Sequence, residues 1–140
     1  DYSQTNTQLK TFSKKDKEKL KRIFDIYKKN INYYKELENI CPIYFEENFV
    51  TKTNILFNKE FKDLLKIFII LLKNLDLWET KKIEDLIKNF VNNNKIKFVS
   101  FGKPLRLVLI NLEIGPSVSD IFFILGKKNS ILRLNNYIKD

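Results

Sequence analysis

The chain has no histidine and a single cysteine, Cys41, so most of the familiar ways of building a catalytic centre are closed to it. A His-based triad or a Cys–His pair cannot be assembled, and zinc, haem and iron–sulfur sites lack their usual donors. No Gly-rich phosphate loop occurs either. What the chain does hold is cation: 26 Lys and Arg against 17 Asp and Glu, a formal charge of +9 that suits a polyanionic partner. It also favours Lys, Asn, Ile and Phe, as AT-rich coding DNA does, so part of the lysine excess is compositional. The run Lys14, Lys15, Lys17, Lys19, Lys21 and Arg22 reads equally as a track for a phosphate backbone and as a solvated helix face. Cys41, beside Pro42, reads as a small buried hydrophobe rather than a reactive thiolate.

The remaining chemistry sits in the last forty residues. Arg106 follows Pro104-Leu105. A guanidinium there can stack on a splayed base and bond its edge, or it can cap a neighbouring helix or pair with Glu113. Gly115-Pro116-Ser117 breaks the chain, and Ser117-x-x-Asp120 reads as the cap of a new helix. Such a turn offers backbone N–H groups to phosphates or base edges, although an ordinary helix–helix connection needs the same residues. Phe12, Phe24, Tyr33, Tyr34, Phe57, Phe122 and Phe123 all have stacking faces, but at helical spacing aromatics are mainly core.

Helices must position these groups. Residues 1–12 are polar and expected to fray. Ser13 to Asp16 reads as a capping-box start, followed by a helix with Leu20, Ile23, Phe24 and Tyr27 on one face. Ile31, Tyr34 and Leu37 mark a second helical stretch, expected to end near Cys41-Pro42 because the residue before proline resists the α region. Asn58 is placed to cap a helix from Lys59 to about Asn74, apolar round most of its circumference and therefore a central core helix. Leu75 to Glu79 is a candidate boundary, with Trp78 packing the two halves together. The next helix carries Ile83, Leu86, Ile87 and Phe90 inward and stops at Asn92-Asn93-Asn94. Lys95 to Ile114 is open between strand and helix on pattern alone, with Pro104 a plausible first-turn helix entry. Gly126 is expected to close a helix in a left-handed conformation, and Asn129-Ser130 to open the last one.

At 140 residues the chain can bury a real core, as one domain or two small ones. Leu64 to Leu75 is its most apolar run, but Lys66 and Lys73 interrupt it and it falls short of the ~20 residues of a membrane span. The start, DYSQTNTQLKTF, lacks the pattern of a secretory leader. One cysteine favours a reducing compartment, and a cytoplasmic location is expected. No methionine occurs, which fits an excised piece of a longer protein.

The order of signals from Trp78 onward resembles the C-terminal anticodon-binding region of bacterial-type glutamyl-tRNA synthetases, class I aminoacyl-tRNA synthetases. Carrying the resemblance are Trp78 with the Ile83-Glu84-Asp85-Leu86-Ile87 helix, then Lys95-Ile96-Lys97-Phe98 and Pro104-Leu105-Arg106. Gly115-Pro116, Ile124-Leu125-Gly126-Lys127 and a terminal Ile131-Leu132-Arg133-Leu134 follow. Lys35-Glu36-Leu37 and Ile43-Tyr44-Phe45 match the family's first anticodon-binding subdomain more loosely. The resemblance implies an all-α fold of two packed helical subdomains, residues 1–76 and 77–140, and turns Pro104 to Asn111 towards helix. It implies tRNA-reading work within a glutamate–tRNA ligase, with no catalytic residue, metal or cofactor in this chain. ATP and Mg²⁺ would belong to an absent catalytic domain.

For single residues the resemblance implies that Arg106 contacts an anticodon base and that Gly115, Pro116 and Val118 form a loop around the anticodon. Some relatives carry a hydroxyl residue where Gly115 stands, so a side-chain bond from there is lost here or made by backbone. Discriminating members place an arginine at the spot of Asn30, where it helps restrict an anticodon base to C. Asn30, with Lys29 before it, offers one acceptor and two donor hydrogens instead of a fixed fork. The expectation is relaxed reading, with tRNA-Gln accepted alongside tRNA-Glu; in the alternative alignment Lys29 does the work. The partner is expected to be tRNA and not a membrane, and the chain a monomer. The rival reading is a basic helical protein-interaction or structural module with no tRNA specificity.

Overall fold

Apolar residues recurring at helical spacing shape the computed structural model, which describes residues 7–30, 32, 35–51 and 59–139. Among the described residues there are seven helices and no strand. They are α1 (Thr7–Lys15), α2 (Lys17–Tyr27), α3 (Leu37–Phe45), α4 (Lys59–Lys73), α5 (Thr80–Asn93), α6 (Phe98–Ile110) and α7 (Val118–Lys139). Helices α1 to α3 fall in one unit, Asp1–Phe49, and α4 to α7 in a second, Val50–Asp140. This division differs from the expected one at 76/77. Helix α4 packs on α7, and the break after it falls within the second unit.

In the first unit, residues 7–15 are helical, not frayed, and the cap lies three residues later than expected. Asp16 accepts from the Lys19 N–H at 3.0 Å and starts α2. Leu20, Ile23 and Tyr27 are buried on one face of α2, as its spacing requires. Helix α3 runs through Pro42 instead of stopping before it. The proline costs a hydrogen bond to the Glu38 carbonyl, but Ile40, Cys41, Tyr44 and Phe45 are all buried, and that burial outweighs the loss. Tyr27 and Tyr44 share a buried hydroxyl–hydroxyl bond of 2.7 Å, Phe12 stacks on Phe45 at 4.5 Å, and Lys19 Nζ donates to the Tyr44 carbonyl at 3.2 Å. Ile31, Tyr33, Tyr34, Phe57 and Asn58 lie outside the described residues.

Burial pushes the Cys41 thiol up to about 12 from its ordinary value of 9.0. A folded pKa above the unfolded one means that the unfolded chain releases the proton first, so this group's contribution to stability falls as pH rises from about 9 towards 12. A thiol reagent at pH 8 should label Cys41 only after unfolding. Rapid labelling of the native chain would contradict its burial.

The second unit is built around aromatic rings. Phe68 is fully buried and meets Phe90 and Phe101 at 5.2 Å and Phe122 at 6.1 Å. Helices α4, α5 and α6 all pack on α7. Helix α4 is less enclosed than its composition suggests, with Phe61, Leu65, Phe68, Ile69 and Leu72 buried but Ile67 and Ile70 exposed. Trp78 Nε1 donates to the Phe122 carbonyl at 2.9 Å within this unit. Helix α5 ends at the asparagine triplet, with Lys95 left-handed at φ 55°. The Ile96 N–H then reaches the Val91 carbonyl at 3.0 Å and the Lys95 N–H the Asn92 carbonyl at 3.1 Å.

Helix α6 begins at Phe98, so Pro104 lies inside it rather than at its entry. Phe101, Leu105, Leu107, Val108, Leu109 and Ile110 are buried, and this packing holds the segment helical despite its β-branched pattern. Gly126 breaks α7, as its position implies, but through φ 81° and ψ 162° rather than the left-handed helical form. Helix resumes directly after it, ahead of Asn129-Ser130. Two cations of α7 satisfy backbone carbonyls elsewhere in this unit: Lys127 Nζ donates to Leu75 O, in the segment after α4, at 2.8 Å, and the buried Arg133 to Leu109 O, in the last turn of α6, at 2.7 Å.

Candidate nucleic-acid interface

The end of α6 and the loop after it build the most distinctive surface of the second unit. Asn111 leaves the helix in a left-handed conformation, φ 59°, and its side-chain amide donates to the Val50 carbonyl at 3.1 Å. Arg106 projects from the last turns of α6 and spans the loop. Its Nη1 donates to the Glu113 carbonyl and its Nη2 to the Pro116 carbonyl, each at 3.1 Å. A planar guanidinium makes two such bonds at fixed spacing, which a lysine cannot. Gly115, between the two acceptors, has φ +150°, where a side chain is strained although the space around it is open. Ser117 closes the loop as the cap of α7, its hydroxyl accepting from the Asp120 N–H at 3.3 Å. That bond takes one of the N–H groups that the turn would otherwise offer a ligand.

A cleft of about 300 Å³ opens beside this loop. Phe98, Val99, Gly102 and Lys103 line it from α6, Ile114 from the loop, and Val118 from the first turn of α7, with Arg106 and Glu113 at its polar side. Of the residues expected to act together, Arg106, Gly115, Pro116 and Val118 do gather around this loop. Val118 is buried and forms part of the wall. Arg106 pairs with Glu113 through the backbone carbonyl and not the carboxylate. Its Nε is buried and meets no acceptor among the described residues, so two terminal N–H groups fasten the loop while the rest of the fork remains uncommitted. Sequence reasoning missed Phe98, Val99 and Ile114, which line the cleft yet stay exposed.

Charge concentrates in the same unit. Sixteen of the 26 Lys and Arg but only nine of the 17 Asp and Glu lie in Val50–Asp140, which puts +7 of the +9 there. Lys95, Lys97 and Lys103 are exposed on and just before α6. Among the described residues no three Asp, Glu or Cys side chains converge in a way that could hold a metal ion. No helix among them is long and apolar enough to cross a membrane.

A family model described as "Anticodon binding domain" matches residues 4–138, nearly the whole chain. The chain belongs to the anticodon-binding domain family. This anticodon-binding domain is 32% identical over 127 residues to glutamate–tRNA ligase 2 of Helicobacter acinonychis, covering 86% of the domain and 27% of that protein. It is 37% identical over 101 residues to glutamate–tRNA ligase 1 of Aliarcobacter butzleri, covering 70% and 21%. Its fold matches a crystal structure of a glutamate tRNA ligase from Elizabethkingia meningosepticum in complex with its amino acid. The TM-score is 0.74 at 22% identity, over 87% of the domain and 25% of that chain. The domain therefore spans about a quarter of the length of these relatives.

The other two expected site residues, Lys29 and Asn30, stand exposed just after α2, in the first unit of the anticodon-binding domain. The Asn30 N–H bonds the Tyr27 carbonyl at 3.1 Å, and its Oδ1 accepts from the Asn32 N–H at 3.0 Å. One lone pair of the Asn30 Oδ1 is thus engaged, which leaves the second and the two amide hydrogens. The lysine-rich run of α1 and α2 is partly occupied as well. Lys15 pairs with Glu47 at 2.8 Å, Arg22 with Glu18 at 3.9 Å, and Lys19 bonds Tyr44.

Proposed function

We propose that this domain reads the anticodon of tRNA-Glu as the C-terminal part of a glutamate–tRNA ligase. ATP-dependent glutamylation takes place in a catalytic part outside this chain, which binds ATP and Mg²⁺. The observation that carries the reading is the match of an anticodon-binding family over residues 4–138, and the cleft beside Arg106 supports it. Single-stranded RNA is read by stacking unpaired bases on flat side chains and bonding their edges. A guanidinium already fastened to its loop is preorganised for that task, because little rotamer freedom remains to be lost on binding. In this reading Arg106 meets a base, while Gly115, Pro116 and Val118 shape the loop around it.

Asn30 is assigned the reading of an anticodon base with relaxed specificity. Beside its bond to Asn32, its side chain offers two amide hydrogens and a second Oδ1 lone pair, and none of these carries the charge of a fixed cationic fork to hold one base pattern against another. Tested on the full-length ligase, the domain should support glutamylation of both tRNA-Glu and tRNA-Gln. Strict rejection of tRNA-Gln would overturn the role of Asn30, and failure to charge tRNA-Glu would overturn the whole reading.

A further inference from the structure

Asn111 ends α6 with φ 59°, one of two non-glycine residues with positive φ among those described. A glycine makes that turn more easily, so the turn alone does not account for an asparagine. The side-chain bond does: the amide donates to the Val50 carbonyl at 3.1 Å, 61 positions back along the chain. Beside it, Thr51 Oγ1 donates to the Val108 carbonyl at 3.2 Å. Val50 is the first residue of the second unit, directly after Phe49 closes the first. We infer that Asn111 and Thr51 are positioning residues, a two-bond clasp that fastens the connection between the units to the helix bearing Arg106, so that the anticodon contacts of the two units reinforce one another. The inference rests on the anticodon reading and adds to it what ties the two sets of contacts together.

The two bonds run in opposite directions, one from the end of α6 to the connection and one back. Val108 is among the last four residues of α6, whose carbonyls find no partner inside the helix. The carbonyls on either side of it, Leu107 and Leu109, are bonded by the Asn111 N–H at 2.9 Å and by Arg133 at 2.7 Å. The end of α6 is therefore fixed, and the clasp passes that fixity to Val50 and Thr51. Arg106 stands one residue before this group of carbonyls. The expected contacts are divided between the units, with Lys29 and Asn30 in the first and Arg106 in the second. Two sites on one chain bind a common RNA with an effective concentration set by the link between them. A link already held has given up its freedom before the RNA arrives, so less is lost on binding.

The test uses the 140-residue chain and a labelled RNA stem-loop carrying the glutamate anticodon. Asn111→Gly keeps the left-handed turn and removes the amide; Thr51→Val keeps the side chain's shape and removes the donor. The double variant should bind roughly 10-fold weaker, with an unchanged slope of log K against log salt because no cation is lost. The deciding readout is Arg106→Ala made in both backgrounds. In the wild type it should cost roughly 10- to 100-fold. In the double variant it should cost only a few-fold, because contacts delivered from a loose connection add less. Binding is measured well below the melting temperature of every chain, and if Thr51→Val melts lower, Asn111→Gly alone carries the comparison. Residues that only stabilised the fold would leave the Arg106 penalty unchanged. That result, or wild-type affinity in the double variant, would overturn the inference while leaving the anticodon reading standing. A wild-type chain that fails to bind the stem-loop would overturn both.

Discussion

Replacing Arg106 by alanine is expected to weaken binding of an anticodon stem-loop by roughly 10- to 100-fold, the loss typical of removing one base-reading arginine, about 1–3 kcal/mol. The effect has two sources. The substitution removes the donors facing the cleft, and it releases the Glu113 and Pro116 carbonyls that the side chain holds at 3.1 Å. Arg106→Lys separates them. A lysine keeps the charge, and hence nearly the same salt slope, but one ammonium cannot reach both carbonyls with the geometry of the fork. Little of the affinity should return. Full recovery by lysine would mean that charge alone matters at this position and that the fastened loop contributes nothing.

Phe68→Ala is expected to cost about 3–5 kcal/mol of folding stability, measured by denaturant or thermal unfolding. Its ring is fully buried, in contact range of Phe90, Phe101 and Phe122. Those three residues come from α5, α6 and α7, so a cavity there loosens every helix that carries the cleft. Against a typical total of 5–15 kcal/mol such a loss is large, and RNA binding should weaken with it at elevated temperature. A loss of about 0.5 kcal/mol, the size seen for surface substitutions, would contradict the packing described.

Local signals in the sequence were faithful where geometry is local. The apolar face of α2, the asparagine stop of α5 and the Ser117 cap depend on neighbouring residues alone, and each is present. The prolines were misleading for a physical reason. Pro42 and Pro104 each remove one helical bond, about 3 kcal/mol in a helix interior, but the buried residues around them are worth ~1.5–3 kcal/mol apiece, and that sum cannot be read without the partners. The compact units divide after Phe49 and not near residue 76; a turn is visible locally, whereas the packing of α4 on α7 is not.

The candidate site was half legible. Arg106 and the Gly115-Pro116 turn stand out by residue type and spacing. The arginine's partners do not, because a backbone carbonyl leaves no trace in a side-chain pattern. Phe98, Val99 and Ile114 read as core material until their exposure is seen. Arg133 likewise counts as one more cation in the composition, yet it is buried on the Leu109 carbonyl and is not available to RNA.

Anticodon recognition by this chain is measured most directly by its equilibrium binding to tRNA across a salt series. A tRNA carrying the glutamate anticodon should bind more tightly than the same tRNA with an unrelated anticodon, and the log–log slope should lie near −0.7Z to −0.9Z for Z neutralised phosphates. Equal affinity for both tRNAs, or binding indifferent to salt, would contradict the account.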